Sequence, residues 1–180
     1  MKAFVFLADG FEEIEAIAPI DILRRADIDV SIISINSEKI VRGAHGIKII
    51  ADFVFSEADF SKIELLFLPG GMPGTANLDA HAGLKELIIK QHKQGKNIAA
   101  ICAAPSILGK MGLLLGKEAI CYPGFENQLK GANLSDKKVV KSDKIITGKG
   151  AGVAIEFALK LVEELKGKAI ADKVSDSICY

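Results

Sequence analysis

Unbroken apolar runs alternate with amphipathic stretches along the whole chain. Ala3 to Ala8 is apolar at every position, the pattern of a strand covered on both faces. Asp9 and Glu12 then form a capping-box-like pair, which predicts a helix reaching to about Arg25 with Ile14, Ile17, Ala18 and Ile22 on one side. Ile28 to Ile35 reads as the next strand, and Ile40 to Ile50 as a small hairpin turning at Gly43-Ala44-His45-Gly46. Leu65 to Leu68 is a further buried strand that ends in the turn-rich loop Pro69-Gly70-Gly71-Met72-Pro73-Gly74. A helix over Ala80 to Gln94 leads to an apolar strand ending at Cys102 and a helix from Ala103 to Met111. A short strand at Glu118 to Cys121 follows. Two more strands, Lys138 to Lys141 and Lys144 to Thr147, turn at Ser142-Asp143. The glycine cluster Gly148 to Gly152 opens a long amphipathic helix, Val153 to Lys166, before a short terminal helix. Strands alternating with helices predict an α/β architecture with a mostly parallel sheet, and no linker or repeat divides residues 1–180 into more than one domain.

Composition narrows the function classes. At 180 residues, the chain can bury a full core without staples. Lys plus Arg and Asp plus Glu balance at 23 each, so no basic field exists to attract nucleic acid or an anionic membrane. No apolar run approaches transmembrane length. The three cysteines, Cys102, Cys121 and Cys179, have unrelated spacings that fit neither a disulfide framework nor a CxxC metal site. A reducing, cytoplasmic setting is expected, with no metal and no cofactor.

In open parallel sheets ligands bind beyond the carboxyl ends of the strands. Three such ends carry chemistry here: Asp9-Gly10, Pro69-Gly70-Gly71 and Cys102. Cys102 stands between an apolar strand and a small-residue helix start, Ala103-Ala104-Pro105-Ser106, as a sharp nucleophile elbow requires. A helix N-terminus facing the sulfur would favour thiolate; a buried structural cysteine is the plain alternative. The N–H groups of Gly70, Gly71 and Ala103 can form an oxyanion hole, or the glycines can serve only a turn. Glu12 and Glu13 are explained by the dipole of the first helix. Glu15 differs, because Pro19 cannot bond its carbonyl; a kinked or opened turn is expected to aim it. His81 and His92 bracket a polar helix, and His45 lies in a hairpin turn away from any catalytic strand end. A Cys-His-acid protease is therefore poorly supported against a Cys102–Glu15 pair. Cys121, beside Tyr122, is a candidate second site residue, and Gly148 to Gly152 reads as a turn because it lacks the Gly-Lys-Ser/Thr ending of a phosphate loop.

Several stretches, in order, resemble the ThiJ/PfpI superfamily, especially its Parkinson-disease protein deglycase (glyoxalase III-like) branch. They are Ala8-Asp9-Gly10-Phe11-Glu12-Glu13-Ile14-Glu15, Pro19 to Ala26, Leu68-Pro69-Gly70-Gly71, Ala99 to Pro105, and Thr147 to Gly152 with Glu156-Phe157-Ala158. The resemblance implies a flavodoxin-like three-layer sandwich that forms a homodimer. It implies Cys102 as the reactive cysteine, Glu15 as its partner, and the backbone of Gly71 and Ala103 at the oxyanion position. A family histidine before a proline is replaced by Tyr122, and a family arginine near the dimer contact falls at His45. Ala103 stands where the protease branch has a histidine. The implied activity is cofactor-free conversion of small aldehydes such as methylglyoxal, or removal of their adducts from glycated groups. A redox-sensing or chaperone role through oxidation of Cys102 is the alternative, and a cysteine peptidase or amidase the weakest reading.

Overall fold

The computed structural model describes residues 1–180. The chain order is β1 (Lys2–Leu7), α1 (Glu13–Arg25), β2 (Asp29–Ser34), β3 (Ile40–Arg42), β4 (Lys48–Ile50), β5 (Phe53–Val54), β6 (Leu65–Leu68), α2 (Gly74–Ala80), α3 (Ala82–Lys93), β7 (Asn97–Ile101), α4 (Pro105–Lys110), β8 (Glu118–Ala119), β9 (Asn133–Leu134), β10 (Val139–Ser142), β11 (Ile145–Gly148), α5 (Ala154–Lys166) and α6 (Lys168–Ser177). Seven strands form the central sheet in the order β10-β11-β7-β6-β1-β2-β5, all parallel except β10 against β11. The run β2-β1-β6-β7-β11 is the doubly wound, flavodoxin-like order, with the reversal of strand direction in sequence falling between β1 and β6.

The unbroken apolar strands are explained by what covers them. Ala3, Val5 and Leu7 face a core built with α1, α5 and α6, including Leu23, Phe157 and Leu161. Phe4, Phe6 and Ala8 face the opposite core, with Leu78, Ile88 and Ile107 from α2, α3 and α4. Side chains of one strand alternate between the two faces, so a strand between two helical layers must be apolar at both parities. The result is the expected three-layer sandwich. No helix is long and apolar enough to cross a membrane.

Several local expectations are corrected. α1 starts at Glu13 with Glu12 as its cap residue and no side-chain cap; Asp9 instead accepts the N–H of Arg42, at 2.8 Å. α1 also continues through Pro19, so no opened turn aims Glu15. The strand expected at Glu118 to Cys121 is only Glu118–Ala119, and it pairs with β9 outside the central sheet. The segment before α3 is a separate helix, α2.

Candidate active site

The site lies where β1, β6 and β7 end. Cys102 follows β7 immediately, with a φ of 65°. A non-glycine residue in this left-handed region stores on the order of 1–3 kcal/mol and persists only where its surroundings enforce it. Here its N–H donates to the Gly148 carbonyl (2.9 Å) and its carbonyl accepts the N–H of Tyr122 (2.7 Å). The expected nucleophile elbow is therefore present, and the half-buried thiol opens into a cleft of about 330 Å³.

Glu15 reaches the same cleft from α1. It is 1 % exposed, and the helix phase alone directs it inward. Oε2 accepts the Gly70 N–H at 3.0 Å. Oε1 is enclosed with no fixed hydrogen-bond partner. Gly70 is required at this position because a Cβ there would lie 2.6 Å from both Cys102 Cβ and Glu15 Oε2. Its N–H is committed to Glu15, so of the three backbone groups expected to hold an oxyanion only Gly71 and Ala103 are turned to the sulfur. Gly71 has a φ of 91°, a conformation open to glycine but strained for other residues, and this aims its N–H at Cys102.

The charge state departs from the sequence expectation. Burial pushes Glu15 up to about 7, against the hydrogen bonds from Cys102 and Gly70. Burial, and next the adjacent Glu15 charge, push the Cys102 thiol up to about 12, with the Gly71 and Ala103 N–H groups opposing less strongly. Burial and the Glu15 charge therefore work against the thiolate that a neighbouring helix N-terminus would favour. α4 is a six-residue helix starting three residues beyond the sulfur, and the carboxylate is closer in effect.

Tyr122 and Phe125 form one wall of the cleft and Met72 another. The Tyr122 segment is pinned by Ile120, whose N–H donates to Thr147 Oγ1 at 3.0 Å. Cys121 is 2 % exposed and packs with the opposite core, so it is not part of this cleft. Cys179 is exposed near the C-terminus. The Gly148 to Gly152 turn contributes Ala151 to the cleft.

Three acidic and hairpin residues carry roles that helix-dipole reasoning missed. Glu12 lines the cleft. Glu13 is buried and accepts the N–H of His45 at 2.7 Å, that of Ile47 at 3.4 Å, and a contact from His45 Nδ1 at 2.9 Å. Burial alone would raise Glu13, but these bonds hold its carboxyl below the usual range. His45 Nδ1 is also 3.5 Å from Glu12, so the hairpin histidine stands beside the site after all. The available signal was Gly43, where a Cβ would collide with the Glu13 side chain. No histidine lines the cleft itself. A cavity of similar size between α5 and α6 is lined by Lys160, Glu163, Lys168 and Asp172, which are paired among themselves, and no cysteine or histidine lines it.

Comparison with known proteins places the chain among relatives of the same fold. The chain is 40% identical over 176 residues to Protein DJ-1 homolog B of Arabidopsis thaliana, spanning 97% of this chain but about two-fifths (40%) of that protein. It is 34% identical over 169 residues to Glutathione-independent glyoxalase DJR-1.2 of Caenorhabditis elegans, covering 93% of this chain and 90% of that protein. Among solved structures, oxidized Toxoplasma gondii DJ-1 superposes with a TM-score of 0.96 at 39% identity, covering 99% of this chain and 98% of the other. With residues 1–164 matching the DJ-1/PfpI family model, this chain belongs to the DJ-1/PfpI family.

Proposed function

We propose that this protein is a cofactor-independent enzyme that converts small 2-oxoaldehydes such as methylglyoxal to 2-hydroxy acids, using Cys102 as nucleophile and Glu15 as acid–base. The observation that carries it is a strained, solvent-reachable thiol beside a buried carboxyl poised near neutrality. The glyoxalase name of the Caenorhabditis elegans relative supports the reaction class.

The geometry orders the steps. Glu15 takes the Cys102 proton as the sulfur adds to the aldehyde carbon; a C–S bond forms, and the C=O electron pair moves to oxygen. N–H groups from Gly71 and Ala103 hold that oxyanion, each such donor being worth about 3 kcal/mol of barrier. The proton on Glu15 neutralises it to a hemithioacetal. Glu15 then removes the proton from the former aldehyde carbon and returns it to the neighbouring carbon, while the hydroxyl proton passes to the neighbouring oxygen, oxidising one carbon and reducing the other. The 2-hydroxyacyl thioester is cleaved by water, which releases the hydroxy acid and restores the thiol. Nothing is consumed but water, so the balance needs no external oxidant or reductant. General acid–base transfer of this kind contributes on the order of 100-fold or more. No histidine lines the cleft, which leaves a His-dependent peptidase without its base.

The same geometry favours a second reading, oxidation sensing. A protonated Glu15 can donate to a sulfinate formed when two peroxide molecules in turn each deliver one oxygen to Cys102, through the sulfenic acid, and each leaves as water. One set of proteins separates the readings. Lactate formation from methylglyoxal should fall at least about 100-fold in both Cys102→Ala and Glu15→Gln; wild-type turnover in both variants sinks the enzymatic mechanism. Mass spectrometry after mild peroxide should place two oxygens on Cys102 selectively if sensing also operates, and equal oxidation of Cys179 argues against it. We also assign a second copy of this chain as the partner for the exposed isoleucines of α1 and the β3–β4 hairpin.

A further inference from the structure

We propose that the cleft selects uncharged 2-oxoaldehydes bearing an apolar tail and discriminates against those ending in a carboxylate. The proposal rests on the oxoaldehyde reading above and specifies its substrate class.

The cleft is too large for methylglyoxal alone. Its volume of about 330 Å³ falls in the range of roughly 300–1,000 Å³ typical of small-molecule sites. A three-carbon oxoaldehyde occupies the space of a few water molecules, about 30 Å³ each, and leaves much of the cleft to a longer tail. The tail would meet Met72, Tyr122 and Phe125, three side chains with large apolar surface. Met72 and Tyr122 are 53% and 50% exposed, so an apolar tail can remove part of each from water.

The charges around the cleft point the same way. Its ionisable lining groups are Glu12, Glu15, Cys102 and Tyr122, and neither lysine nor arginine is among them. His45, which contacts the lining residue Glu12 at 3.5 Å, is already engaged by Glu13 at 2.9 Å. A carboxylate tail would therefore lose water, meet Glu12, and find no cationic partner among the lining residues. A buried charge without a partner is costly, whereas an apolar tail gains from the same walls. Tail recognition and reaction are spatially separate: Gly71 and Ala103 address the reacting oxygen, and Met72, Tyr122 and Phe125 address what extends beyond it.

The test compares substrates of similar length on the intact protein: 2-oxohexanal, which is neutral, and 4,5-dioxopentanoate, which carries a carboxylate, with methylglyoxal as reference. The neutral substrate should have a kcat/KM about 10-fold or more above that of the anion, the scale on which hydrophobic pockets discriminate. Met72→Lys places a cation at an exposed position of the rim and should shrink that ratio several-fold by raising turnover of the anion. Met72→Ala should shrink it from the other side, by lowering turnover of the neutral tail. Equal kcat/KM for the two tails, or preference for the anion, with methylglyoxal still converted, overturns the inference and leaves the reaction class standing. Failure to convert any of the three overturns both.

Discussion

At the residue scale, the decisive property is how Cys102 and Glu15 share protons. Glu15 is 1 % exposed, and burial lifts it from 4.5 to about 7. Below 7 it holds its own proton and cannot accept one from the thiol. The kcat/KM for methylglyoxal should therefore rise about tenfold per pH unit below 7 and level off above it, because this parameter reports ionisation of the free enzyme. Stability should run the other way. The fold favours protonated Glu15, so its contribution is complete below about 4.5 and is lost as pH rises through about 7. At about 1.4 kcal/mol per unit, the loss is on the order of 3–4 kcal/mol. Glu15→Gln carries no such charge, so urea unfolding should show the variant gaining on wild type by up to that amount between pH 4.5 and 8. A constant difference across that range contradicts the burial account. Cys102 was singled out in the sequence by the small residues after an apolar strand, and Glu15 by an opened turn at Pro19 that does not form and by the family resemblance. Their protonation was not legible, because it depends on burial and on a neighbour 87 positions away in the chain.

At the scale of elements, α1 joins the core to the site through three glutamates with separate tasks. Glu12 faces the cleft, Glu15 faces the thiol, and Glu13 clamps the hairpin. Spacing alone grouped Glu12 and Glu13 as dipole-stabilising, since the partners of Glu13 come from His45 and Ile47, more than thirty residues later. The Pro19 argument failed for a related reason. Loss of one backbone bond is tolerated in a helix held by packing of Ala16, Ile20 and Leu23 against the core. β6 was readable to its last residue because four apolar positions stand between a charged residue and Pro69. α2 was not, since Gly74-Thr75-Ala76-Asn77 carries little helix propensity. Glu13→Ala should unlatch the hairpin. It leaves two backbone N–H groups without their acceptor, at about 1–3 kcal/mol for each one that stays buried. Hydrogen exchange should accelerate at His45 and Ile47 while β1 and β6 stay protected. Unchanged exchange at both amides would show that the clamp is dispensable.

At the scale of the whole molecule, the apolar surface is unevenly distributed. Ile14 and Ile17 of α1 are 56% and 42% exposed; Ile40, Ile47 and Ile50 of the hairpin region lie in the same state of exposure or greater. The hairpin is tied to the first turn of α1 through Glu13, so both sets belong to neighbouring elements. The register pairs Ile40 with Ile50, which puts both on one face of the hairpin, while Val41 on the other face is buried. Apolar residues shared by adjacent elements mark association surfaces more reliably than scattered ones. A second copy of the chain is a fitting occupant, because a two-fold interface lets one patch cover its own equivalent. Stable interfaces of this kind bury roughly 1,200–2,000 Å² in total. Sedimentation equilibrium at micromolar concentration should return twice the 19.2 kDa chain mass. Ile17→Glu should return the single-chain mass, since a charge desolvated without a partner opposes association. Leu115→Glu supplies the control: Leu115 is 74% exposed in the segment between α4 and β8, away from both isoleucine-bearing elements, and its variant should still dimerise. A monomeric wild type, or loss of the dimer in both variants alike, removes this face as the interface.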